Sequence, residues 1–141
     1  MRAALLRNTG DETLDIVDDM TTVEPGPGQV KVKIVATGVC HSDLSGMNGT
    51  IPQPAPAVLG HEGAGIVTEL GAGVTNVSEG DHVIVAWSPP CGTCPSCTGR
   101  HQPHLCFNIQ MMMAVTPNFV LGGEPVVGFA GAGTFAEEVV L

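Results

Sequence analysis

The sequence predicts a mainly β domain: a small, irregular, partly open barrel with few and short helices, whose loops carry the chemistry. Three observations predict it. Glycine (19) and proline (11) are abundant in 141 residues and aromatics make up only 4%. That mix favours short strands joined by tight turns over long helices. Strand signals recur along the chain while helix signals are few. Hydrophobic residues make up 43%, enough for a core, and the length suits one compact domain, residues 1–141.

From the N-terminus, residues 1–6 form a short apolar run. A Pro25-Gly26-Pro27-Gly28 turn leads into residues 29–35, where Val30, Val32 and Ile34 share one face and Lys31 and Lys33 the other. Residues 40–47 have room for one or two helical turns. Residues 63–70 and 81–87 read as strands, separated by turns at Gly71-Ala72-Gly73 and Glu79-Gly80. Met111-Met112-Met113-Ala114 has helical propensity, with Pro117 close behind. Residues 135–141 form a final strand, ended by the end of the chain. There is no internal repeat and no low-complexity linker.

Charge and hydropathy exclude two classes of partner. The net charge is −9, from 5 basic and 14 acidic residues, and no basic cluster exists to face a phosphate backbone. Nucleic acid is therefore excluded, and the acidity reads as a soluble surface. No apolar run approaches a membrane span. The first residues are too short an apolar stretch for a signal peptide, which makes the cytoplasm the default compartment.

Five cysteines stand at 40, 91, 94, 97 and 106. An odd count without an export signal points to metal or thiolate chemistry rather than a disulfide framework. In Cys91-x-x-Cys94-x-x-Cys97, followed by Cys106, thiolates three apart in a non-helical turn can curl around one ion while the fourth closes the tetrahedron. Four sulfur ligands leave zinc no position for water, so the site is structural. Pro89-Pro90, Gly92, Pro95 and Gly99 supply the turns of this lobe, about residues 89–107. Two alternatives stand beside it: free or disulfide-linked cysteines, and His101 or His104 in place of one thiolate.

Cys40 lies just after the strand at residues 29–35, and His61-Glu62 opens the next one. Alone, a cysteine reads as a small buried hydrophobe and a histidine as structural. Together they offer a thiolate, an imidazole and a carboxylate at two strand-end loops. Three such ligands leave zinc open to water or substrate; spacing alone leaves both readings standing. Asp43 fits either a carboxylate orienting a ligating imidazole or a cap on the short turn. Ser42 fits either a proton carrier or a cap on that same turn.

GVCHSD (Gly38 to Asp43), GHEGAG (Gly60 to Gly65), the Gly80-Asp81-x-Val83 pattern and CGTCPSC (Cys91 to Cys97) stand in the order and rough spacing of one family. With them the chain resembles the N-terminal catalytic domain of medium-chain zinc alcohol dehydrogenases, from Met1 to a closing GTFAEEVVL. The resemblance implies a GroES-like barrel. It implies Cys40 and His61 as catalytic zinc ligands, and Glu62 as a carboxylate able to approach or replace a ligand. It also implies Ser42 as the hydroxyl taking the alcohol proton, His41 against the cofactor pyrophosphate, and Trp87 and Phe129 as walls of the substrate pocket.

Three departures accompany the resemblance. Cys97 and Cys106 are one residue further apart than in the usual pattern. Ser45 stands where many members have the last histidine of a proton relay, and serine is no base near neutral pH, so the proton is expected to leave through water. The family's third catalytic ligand, a cysteine, and its Rossmann domain lie beyond position 141. Gly63-Ala64-Gly65, Gly71-Ala72-Gly73 and Gly131-Ala132-Gly133 all lack the context of a dinucleotide fingerprint.

The expectation is thus the incomplete catalytic domain of a zinc alcohol dehydrogenase, the nucleotide-binding domain being absent from this chain. The full enzyme would pass a hydride from a small alcohol to NAD or NADP, reversibly, as a homo-oligomer. The isolated chain would be inactive. The alternative is a stand-alone, zinc-stabilised GroES-like binding module without catalysis.

Overall fold

Turn residues end each ladder before it lengthens, so most strands are short. The computed structural model describes residues 1–108 and 117–141, and the run Met111-Met112-Met113-Ala114 lies outside the described residues. Among the described residues, ten strands form two sheets: β1 Ala3–Leu6, β2 Asp15–Val17, β3 Thr21–Thr22, β4 Val30–Thr37, β5 Ala57–Val58, β6 Gly63–Leu70, β7 His82–Ile84, β8 Pro117–Leu121, β9 Glu124–Gly128 and β10 Glu138–Val140. Helices are short, α1 at His41–Met47 and α2 at Pro95–Thr98, with single 3-10 turns at Pro103–Leu105 and Phe129–Gly131.

One sheet runs β2-β1-β5-β9-β8-β3 and the other β10-β4-β6-β7. All pairings of these strands are antiparallel except β5 with β9. The sheets meet at an Ala3–Ala136 bridge and do not close into one barrel, which fits the partly open mainly β class the sequence predicts. Leu5, Val58, Phe119 and Val126 from one sheet and Val32, Val67 and Val139 from the other fill the space between them. A second cluster, Leu6, Leu59, Phe129 and Ala130, underlies the loop that carries His61.

Several elements differ from the sequence reading. The strand expected at 81–87 is confined to His82–Ile84, and the last one to Glu138–Val140. β4 does not keep Lys31 on a solvent face. Its ladder with β6 shifts register after Lys31 and again after Ile34, which breaks the two-residue alternation. Lys31 is buried along its stem, and its ammonium lies 2.7 Å from Glu69, directly across the ladder. The hydrogen bond to Glu69 is the main cause holding the Lys31 pKa above its ordinary value.

The register of β4 against β6 sets where Cys40 and His61 stand. The final pair of that ladder is Thr37 with Gly63. Cys40 lies three residues beyond the end of β4 and His61 two residues before the start of β6, so an antiparallel pairing brings both to one end of the sheet.

Candidate functional site

Cys40 is the N-cap of α1. Its backbone N–H donates to Asp43 Oδ2 at 3.0 Å. The other oxygen of that carboxylate accepts from Gly60 N at 2.9 Å and lies 3.2 Å from His61 Nδ1. One buried aspartate therefore ties the Cys40 loop to the His61 loop. It both caps the helix and orients the imidazole, the two roles the sequence offered as alternatives.

With Nδ1 held by Asp43, His61 Nε2 points toward the Cys40 side. Ser42 Oγ lies 3.1 Å from Nε2 and donates to Cys40 Sγ at 3.0 Å. The ligand atoms of Cys40, His61 and Glu62 all lie within 4.8 Å of one another. A soft sulfur, an imidazole nitrogen with its second nitrogen anchored, and a carboxylate oxygen form a donor set suited to zinc with a position left open.

Gly60 makes the His61 turn possible. Its φ is +87°, in the left-handed region, and an added Cβ would run into Thr134 and Phe135. The Gly60 carbonyl accepts from Thr134 N at 2.9 Å, and Thr134 Oγ1 pairs with Thr37 Oγ1 at 2.8 Å. Thr134, fully buried, is a supporting residue that sequence reasoning missed; nothing in its neighbourhood of the sequence signals this contact.

A cleft of about 560 Å³ opens above the trio, lined by Cys40, Ser42, His61, Glu62, Ile84, Val85 and Trp87. Its polar floor faces an apolar wall. Trp87 lies on that wall and is 64% exposed. Phe129 stands next to the site. It is buried and packs edge-on against the His61 ring, centroids 5.3 Å apart. Ile84 and Val85 were not singled out from the sequence, although they lie in the same apolar run as Trp87. His41, on the first turn of α1, has Nδ1 3.4 Å from Ser45 Oγ, one helical turn on.

The four remaining cysteines form a separate lobe. Cys94 N-caps α2, and the 3-10 turn at Pro103–Leu105 returns the chain so that Cys106 joins the group. Cys94 Sγ lies 3.5 Å from Cys97 Sγ and 3.9 Å from Cys106 Sγ. Four sulfurs bound at about 2.3 Å to one tetrahedral zinc stand about 3.8 Å apart, so the spacing fits the ion. All five cysteines are free thiols. His101 and His104 are exposed and lie outside the four-sulfur group.

Hydrogen bonds prepare the sulfurs unequally. Cys91 Sγ accepts from Thr93 Oγ1, Cys94 N and Asn108 Nδ2. The Thr93 hydroxyl, helped by backbone N–H groups, lowers the Cys91 pKa to about 5. Burial pushes Cys97 up to about 12. Hydrogen bonds led by the Cys97 N–H lower Cys94.

The fold and the two donor sets define a class: a small β domain with one closed four-thiolate lobe and one open cysteine–histidine–glutamate site. Residues 26–141 match the family model described as the alcohol dehydrogenase GroES-like domain, and the chain belongs to that family. It is 40% identical over 133 residues to the class-3 alcohol dehydrogenase of Dictyostelium discoideum, covering 89% of this chain and 35% of that one. It is 39% identical over 132 residues to the S-(hydroxymethyl)glutathione dehydrogenase of Candida maltosa, covering 89% and 34%. The crystal structure of an alcohol dehydrogenase zinc-binding domain protein from Burkholderia ambifaria superposes with a TM-score of 0.86 at 34% identity, covering 99% of this chain and 39% of that chain. The chain spans about a third of the length of the curated relatives it matches. No helix among the described residues is long and apolar enough to cross a membrane.

Proposed function

We propose that this chain is the metal-holding part of a zinc-dependent alcohol dehydrogenase that interconverts small alcohols with aldehydes or ketones. One observation carries the reading: the ligand atoms of Cys40, His61 and Glu62 lie within 4.8 Å of one another at the floor of a cleft with an apolar wall. A purely structural module has no use for an open donor set beside its closed one.

Cys40, His61 and Glu62 would hold the catalytic zinc, and Cys91, Cys94, Cys97 and Cys106 the structural one. A zinc held in the open site would supply Lewis-acid polarisation of the alcohol oxygen, and a bound NAD or NADP would supply the hydride acceptor. Asp43 fixes the His61 ring so that Nε2 faces the site. Ser42 Oγ, between Cys40 and His61, takes the alcohol proton and passes it to solvent. Ile84, Val85 and Trp87 cover the carbon chain and exclude water from it. Phe129, edge-on to the His61 ring, supports the imidazole and adds an aromatic wall to the substrate pocket. His41, exposed at the start of α1, would serve as a basic contact for the cofactor phosphates.

The nucleotide is held by a second unit, and the 141 residues alone are inactive. The working protein is a cytoplasmic homo-oligomer. Alcohols and S-(hydroxymethyl)glutathione, the compounds for which two relatives are named, are the substrates to try first. The test is alcohol-driven, zinc-dependent reduction of NAD or NADP by the chain joined to its nucleotide-binding part. Ser42→Ala and His61→Ala are expected to remove most of the rate. Unchanged turnover in His61→Ala contradicts the proposal.

A further inference from the structure

We propose that Gly38 is a positioning residue for Glu62: the missing side chain at Gly38 makes the space in which the Glu62 carboxylate rests within ligand reach of Cys40 and His61. The inference rests on the reading of that trio as a metal site and adds what sets its third member.

Two contacts bind the residues together. Gly38 N donates to the Glu62 carbonyl oxygen at 2.9 Å. The Glu62 side chain then folds back over the glycine. A Cβ added at Gly38 would overlap Glu62 Oε2 and come within 3.2 Å of its Cβ and 3.4 Å of its Cδ. The three nearest atoms thus all belong to Glu62.

The backbone does not demand glycine here. Gly38 is not among the residues with positive φ, so alanine is conformationally acceptable. The overlapping atom, Oε2, is the far end of a flexible side chain, and the contact with Glu62 Cβ asks for a shift of only a few tenths of an ångström. A methyl at position 38 therefore leaves the domain folded and displaces the carboxylate. Gly38 stands two residues before Cys40 and Glu62 directly after His61, so this contact links both ligand loops. Where the carboxylate rests decides whether the open site offers two protein ligands or three.

The experiment is a cobalt titration of the 141-residue chain whose cysteine lobe has first been filled with zinc, followed by visible absorption, which reports coordination geometry. The parent chain is expected to bind one cobalt. Glu62→Gln is expected to weaken binding, and Gly38→Ala to weaken it by about tenfold or more, the range seen when support of a ligand is lost. Lobe zinc and circular dichroism stay unchanged. The double variant is expected to bind no more weakly than Glu62→Gln alone, because both changes remove the same ligand.

Parent affinity in Gly38→Ala, or losses that multiply in the double variant, overturns the proposal. So does an unfolded Gly38→Ala chain, since the obstructing atoms belong to one movable side chain. A parent chain that takes up no cobalt refutes the metal-site reading itself, and this inference with it.

Discussion

Asp43 Oδ1 stands 3.2 Å from His61 Nδ1, while the other oxygen of the same carboxylate accepts the Cys40 N–H at 3.0 Å. The two residues that present sulfur and nitrogen to the open site are thus held by one buried side chain, with Gly60 N as a third donor to it. Three donors on one carboxylate fix its orientation, and its orientation fixes the imidazole.

Asp43→Asn keeps the shape but replaces one acceptor oxygen by a donor amide. Metal affinity at the open site is expected to fall about 10–100-fold, with the four-cysteine lobe unaffected. Competition titration with a chromogenic chelator separates the two. Equal affinity in variant and parent would mean that Asp43 serves the helix cap alone.

Cys94→Ser removes a buried sulfur that lies against both Cys97 and Cys106. One zinc per chain is expected to be lost, with faster amide exchange through residues 91–106. The sheet core is expected to stay protected, because its contacts come from other residues. Elemental analysis and hydrogen exchange check both halves. Retention of full zinc content would show that the lobe is not its site.

Zinc uptake by the lobe depends on pH with a definite sign. Zinc binds thiolates, so each bound proton must leave. Cys97, pushed up to about 12, is protonated at neutral pH, whereas Cys91, lowered to about 5, is already ionised. Apparent affinity is therefore expected to rise between about pH 6 and 8, by about tenfold per unit for each proton displaced. Below about pH 5 the dependence steepens as Cys91 also takes a proton. A flat profile across that neutral range would contradict the unequal preparation of the sulfurs.

The chain by itself is expected to form no NADH or NADPH from alcohols. Its Gly-x-Gly runs lead into turns or strands, not into a helix that could hold a pyrophosphate. Loss of an oriented cofactor removes on the order of 7–11 kcal/mol of barrier lowering in favourable cases. Spectrophotometry of the reduced nicotinamide with zinc-loaded chain checks this. Steady, chelator-sensitive turnover would contradict it.

The mainly β class and the two groups of possible metal ligands were legible in the sequence, whereas the pairing details were not. The cysteine spacing is local chemistry, so the lobe could be read directly. β6 kept its expected span, Gly63–Leu70, because the Gly71-Ala72-Gly73 turn closes it clearly. Asp43 could be read only as one role or the other, since nothing in a linear sequence shows that each oxygen serves a different loop. The edge-on packing of Phe129 against the His61 ring joins residues 68 positions apart, which no local pattern reveals. β5 is two residues long and exists because β1 and β9 flank it; it carries no pattern of its own. The β8–β9 hairpin did carry one, Gly122-Gly123 between two short apolar runs, a turn signal that is easily passed over in so glycine-rich a chain. Lys31 was misplaced because a register shift is invisible to an alternation rule.

The most direct test of the two-site reading is a zinc titration of the reduced, metal-free chain, read as stoichiometry and affinity together. One tightly bound zinc is expected, which Cys94→Ser abolishes, and a second, far weaker one, which His61→Ala abolishes. The closed lobe offers four thiolates, whereas the open site offers one thiolate, one imidazole and one carboxylate. No bound zinc, or two of equal and tight affinity, would contradict it.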